Sequence, residues 1–113
     1  MPYIHLSTDR TLSPAEIQTL YALLSAHASR DLGKPAARCM LHISTGQALA
    51  MGDGAANCAF VEARLRGESD AASRAAFAGS LRQALSVALQ TQPEKIYINL
   101  LEMTEGAVLG SIF

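Results

Sequence analysis

Residues 59–66 read AFVEARLR. Ala59, Val61, Ala63 and Leu65 fall on one side of an extended chain, the period-two pattern of a strand with one face turned to a core. Four residues on, Asp70 can cap a helix whose apolar face carries Phe77, Leu81, Leu85, Ala88 and Leu89. After Gln92-Pro93 comes a second strand-like run, KIYINLLEM at 95–103. Residues 59–103 therefore read as strand, helix, strand.

The same order precedes it. Residues 3–7, YIHLS, alternate apolar and polar. Ser13-Pro14-Ala15-Glu16 is a helix start: Ser13 as N-cap, Pro14 at the first helical position, Glu16 completing a capping box. Ile17, Leu20, Tyr21, Leu24 and Ala28 share a face, and Gly33 suits a left-handed cap. Residues 38–44, RCMLHIS, read as a strand, and Ala48–Met51 as a short extra one before the loop GDGAAN. The caps Ser13 and Asp70 are offset by about 57 residues, as two copies of one unit would be. Crossovers of this kind make the strands within each unit parallel. The expected fold is α/β: two β-α-β repeats forming a four-stranded mixed sheet with two helices on one face, in a single domain over residues 1–113.

Composition narrows the function. The chain has 113 residues, half of them apolar and 17% charged, with a net charge of −1. That is an ordinary globular balance, with no electrostatic reason to expect nucleic acid or an anionic membrane. No apolar run approaches the roughly 18 residues that span a bilayer, and the first residues lack a signal-peptide pattern. A cytoplasmic protein is expected. Cys39 and Cys58 form no CxxC and read as small buried residues. His5, His27 and His42 have no metal-ligand spacing, so no metal is expected. Helices on one side leave the other face of the sheet partly apolar, because CMLHI and INLLEM carry apolar residues in both directions; the tail GAVLGSIF is apolar too. Such surfaces point to self-association.

The start, MPYI, raises a chemical question. Removal of Met1 would leave Pro2 with a secondary amine, and an ordinary α-amino group titrates near 7.7–8.0. Burial beside another cation would lower that value and make the amine a usable base.

Together these pieces resemble the macrophage migration inhibitory factor family of the tautomerase superfamily. The matching residues are MPYI, the Thr-Asp of STD, GKP at 33–35, LHI at 41–43, LAMGDGAANCA at 49–59 and KIYIN at 95–99. The resemblance implies a homotrimer with active sites at subunit boundaries. It implies Pro2 as catalytic base, Lys34 as the cation that holds an anionic substrate group, and Tyr97 and Asn99 as contributions from a neighbouring subunit. The implied activity is keto–enol tautomerisation of phenylpyruvate-like α-keto acids or dopachrome derivatives, without metal or organic cofactor. Each residue also has a structural reading. Lys34 suits a helix end, Tyr97 a half-buried strand, and Asn99 a buried hydrogen bond.

Three departures from the family pattern matter. Its CxxC is reduced to Cys58-Ala59-Phe60-Val61, which does not support thiol–disulfide exchange. A tryptophan common near the family's C-terminus is missing, so the aromatic wall over a substrate ring is either thinner or formed by Phe113. Arg38 stands where tyrosine is frequent, and Arg66 where isoleucine is. Arginine forks suit carboxylates, so both arginines in the pocket would favour dicarboxylic keto acids; on the surface they would be solvated. The competing function is a non-catalytic, partner-binding or signalling protein on the same fold.

Overall fold

The computed structural model describes residues 2–67, 69–104, 107–108 and 111–112. In chain order the principal elements are β1 (Tyr3–Thr8), α1 (Pro14–Leu32), β2 (Met40–Ser44), β3 (Ala59–Arg66), α2 (Ala71–Leu89) and β4 (Ile96–Met103). One sheet runs β2-β1-β3-β4. Within each repeat the strands are parallel, β1 with β2 and β3 with β4; the repeats join through the antiparallel pair β1/β3. Short strands β5 (Ala107–Val108) and β6 (Ser111–Ile112) form a separate antiparallel pair.

Local chemistry sets the ends of both helices. Ser13 and Glu16 make the reciprocal capping box at α1: Glu16 N–H donates to Ser13 Oγ at 3.2 Å, and Ser13 N–H to Glu16 Oε1 at 2.9 Å. Gly33 closes α1 in the left-handed region at φ 65°, its N–H returning to the Ala28 carbonyl. Asp70 caps α2 by accepting from Ser73 N–H. The other end of α2 carries no glycine. Gln90 takes the left-handed position at φ 52°, and the Arg10 guanidinium donates to the Leu89 carbonyl.

The two helices cover one face of the sheet. Phe77, Leu81, Leu85 and Leu89 recur every four residues along α2 and are fully buried. They meet Ile4 and Leu6 of β1 and Val61, Ala63 and Leu65 of β3 in one core. Burying each large apolar side chain contributes about 1.5–3 kcal/mol.

Three sequence expectations need correction. Ala48–Met51 forms no strand: its bonds are local, Leu49 N–H to the Gln47 carbonyl and Met51 N–H to the Ala55 carbonyl. β2 begins at Met40, because Pro35 starts a 3₁₀ turn over Ala36–Arg38. β4 likewise begins at Ile96, after a turn over Pro93–Lys95. Phe113, and Met1 at the other end, lie outside the described residues.

The Thr-Asp of STD has a structural task. Thr8 Oγ1 donates to the Cys58 carbonyl at 3.1 Å, while the Asp9 carboxylate accepts from Asn57 and Cys58 N–H at 2.7 and 3.0 Å. Asn57, itself left-handed at φ 62°, donates to the Gln90 carbonyl and accepts from Thr91 Oγ1. The end of β1 thus fastens the entry to β3 and the exit of α2 together.

Candidate active site

Pro2 sits where β1 begins and is buried. Its carbonyl accepts from Met40 N–H at 2.8 Å, which fixes it against the start of β2. Tyr3 pairs with Arg64, so Pro2 falls level with Leu65 at the far end of β3. It belongs with Ile4 and Leu6 on the helix side of the sheet.

Lys34 follows the α1 cap directly. Its N–H donates to the Ala28 carbonyl, and its Nζ reaches across to the Arg66 carbonyl at 3.4 Å. A single donor bond leaves an ammonium group with two further protons to offer. The turn after GKP then places Arg38 two residues before Met40, exposed, its guanidinium without a partner among the described residues. Cys39 follows it, half-buried, with Sγ 3.6 Å from the Pro35 carbonyl; burial pushes its thiol pKa up, so it is a poor nucleophile. One end of the sheet thus gathers Pro2, Lys34, Arg38 and the Arg66 backbone.

Tyr97 and Asn99 are elsewhere. They lie on β4, two strands away from β1, on the face the helices leave open. Tyr97 is level with Phe60, five positions from Leu65 along β3. At about 3.3 Å per residue that is roughly 16 Å along the sheet. Within one chain neither side chain can reach Pro2. Both are exposed, Tyr97 by 58%, and neither makes a hydrogen bond among the described residues. They line a groove of about 690 Å³ along the outer edge of β4, with Phe60, Gly79, Arg82 and Gln83. No motif in the sequence singles out Arg82. The only signal was its place on α2 beside, not within, the apolar face.

The open face also brings together histidines that the sequence keeps apart. The β1/β2 register sets His5 opposite His42. Ser44 Oγ lies 2.8 Å from His5 Nε2 and 3.4 Å from His42 Nε2, and Tyr3 Oη is 2.8 Å from His42 Nδ1. Among the described residues no three His, Cys, Asp or Glu side chains are grouped to hold a metal. Cys39 and Cys58 are both free thiols, and Cys58 is buried.

The family model for macrophage migration inhibitory factor matches residues 1–113, the whole chain. The chain belongs to that family. Its fold is the one shared across the tautomerase superfamily. The solved structure of MIF2 from Leishmania major superposes with a TM-score of 0.91 at 19% identity, covering 100% of this chain and 97% of that one. The macrophage migration inhibitory factor from Trichinella spiralis gives 0.81 at 22% identity, covering 98% and 99%. A fused 4-OT, solved as an asymmetric trimer, gives 0.84 at 13% identity, covering 96% and 94%. No curated protein matches the chain by sequence. Among the described residues no helix is long and apolar enough to cross a membrane.

Proposed function

We propose that this family member is a cofactor-independent keto–enol tautomerase in which Pro2, freed of Met1, is the general base. The observation that carries the reading is the placement of Pro2. It is buried at the mouth of the sheet, among residues 34–40 and the end of β3, with a lysine and an arginine in that same segment. Burial and neighbouring positive charge both favour the neutral amine. A base with a pKa near neutrality can take a proton α to a carbonyl and return it to the other end of the enol.

The remaining roles are those the family resemblance implies. Lys34 holds the substrate carboxylate close to the proline nitrogen. Arg38 and Arg66 add positive charge at the same end, which favours dicarboxylic keto acids over phenylpyruvate. Asn99 donates to the developing enolate oxygen, and Tyr97 packs on the conjugated substrate. Because Tyr97 and Asn99 stand roughly 16 and 10 Å along the sheet from Pro2, two strands across and on the other face, they must come from another copy. A closed ring of identical chains supplies one such site at every boundary, and the fused 4-OT solved as a trimer supports three copies. Exposed Met40 and Leu101 on the open face favour the same assembly.

The test is tautomerisation of enol-phenylpyruvate and of enol-oxaloacetate by untagged protein whose N-terminus has been verified by intact mass. Pro2→Gly is expected to lose at least about a hundredfold in kcat, the usual worth of a positioned base. Full activity in that variant would remove Pro2 from the mechanism. Inactivity of a chain that begins at Pro2 would favour the partner-binding reading.

A further inference from the structure

The groove along β4 contains more than Tyr97 and Asn99. Arg82 and Gln83 enter it from α2, and these four polar side chains make no hydrogen bond or ion pair among the described residues. A helix arginine can pair with a carboxylate three or four residues away. Here those positions are Ala78, Gly79, Leu85 and Ser86, and α2 has no acidic residue along its whole length. The carboxylate of β4, Glu102, is already engaged by Arg74 and by Ser69 N–H. The guanidinium therefore faces a groove of about 690 Å³ with no anion supplied by its own elements. That volume lies within the range of small-molecule sites. The flanking rings of Phe60 and Tyr97 suit a planar, conjugated ligand.

We propose that Arg82 is a specificity-determining residue, binding the substrate carboxylate remote from Pro2 and reaching it from the copy that supplies Tyr97 and Asn99. This rests on the shared-site tautomerase reading. A planar fork matches a carboxylate in two parallel hydrogen bonds. The substrate is then a planar dicarboxylic enol held at both ends: Lys34 of one copy near the reacting carbon, Arg82 of the next at the far end. Gly79 keeps the groove open, since a side chain there would meet nothing within 4 Å and would project into the space.

The experiment compares kcat/KM for enol-oxaloacetate with that for enol-phenylpyruvate in wild type, Arg82→Ala, Arg82→Lys and Gly79→Leu. Molecular mass is measured for each by sedimentation. Arg82→Ala is expected to lower the dicarboxylate-to-monocarboxylate ratio at least about tenfold, as loss of a charge-assisted fork should. Arg82→Lys keeps the charge without the fork and should fall between. Gly79→Leu should raise KM through the groove. An unchanged ratio in a correctly assembled Arg82→Ala overturns the proposal while Pro2→Gly still reports on the base. A reduced mass in Arg82→Ala or Gly79→Leu also overturns it, because the groove would then be filled by another copy. If wild type turns over neither acid, the tautomerase reading fails separately. Calorimetric titration with succinate then decides: binding lost in Arg82→Ala keeps the carboxylate site, and no binding by wild type ends it.

Discussion

His5 and His42 stack face to face, their ring centroids 3.9 Å apart and their planes 5° from parallel. Both rings lean on Ser44 Oγ, and Tyr3 Oη completes the set at His42 Nδ1. The arrangement suits a neutral imidazole at His5. Ser7 also approaches His5, and Glu62 lies opposite it on β3, its carboxylate shared with Arg64. Burial pushes the His5 pKa below its ordinary 6.5 and the neighbouring His42 adds to that, while Glu62 partly opposes both.

A folded pKa below the unfolded one means that the unfolded chain takes up protons first. Stability is therefore full above about pH 6.5 and falls as acid titrates the unfolded histidine, levelling off below the folded value. His27 acts in the same sense, lowered by burial and by Arg30, with Asp31 opposing. Urea titrations between pH 8 and 5 are expected to show declining stability on the acid side. In an NMR titration His5 should protonate below 6.5, and His42→Phe should move its midpoint upward. A midpoint for His5 above the ordinary value in wild type would contradict that direction.

Asp9 should behave oppositely. Its carboxylate is partly desolvated, which raises its pKa. The N–H groups of Asn57 and Cys58 outweigh that and hold the pKa below the ordinary 3.8. Its contribution is present above that value and lost as pH falls through the lower folded pKa. Asp9→Ala leaves two inward-facing N–H groups without their acceptor and should cost about 2–3 kcal/mol at pH 7. Chemical denaturation measures it; a cost under about 0.5 kcal/mol would mean water replaces the carboxylate.

Gln90 ends α2 in a conformation that costs a side chain about 1 kcal/mol. Gln90→Gly keeps the N–H bonds to Ser86 and Val87 and the carbonyl that accepts from Asn57. It should raise stability by about 0.5–1 kcal/mol, since glycine is at ease there. A lower melting temperature would show that the Gln90 side chain has a task its contacts do not reveal.

The contrast between Gly33 and Gln90 shows what could be read from the sequence. The capping box at Ser13, Gly33 and the alternation of AFVEARLR are local signals, and each element formed where they pointed. Ala48–Met51 failed because a strand exists only by pairing, and no local pattern states whether a partner is in reach. The His5/His42 stack was hidden for the same reason: it is a product of sheet register, joining residues far apart in the chain. In the candidate site, Pro2 and Lys34 carry a family pattern in GKP and the proline start. Arg82 carries none. It becomes visible only when β4, α2 and the absence of any acidic neighbour are seen together.

The separation of Pro2 from Asn99 makes the subunit boundary testable without a structure of the assembly. If each site takes Pro2 from one copy and Asn99 from the next, Pro2→Gly and Asn99→Ala are each defective at every site of their own oligomers. In oligomers mixed at random, some boundaries join an intact Pro2 to an intact Asn99. With equal amounts and two independent copies per site, about a quarter of the sites are restored. Co-expressed, co-purified chains should therefore regain roughly a quarter of wild-type kcat, although neither parent exceeds a few per cent. Were both residues needed within one chain, mixing would restore nothing. Rescue therefore depends on the register of β3 with β1 and β4, which sets the two residues too far apart to meet in a single copy.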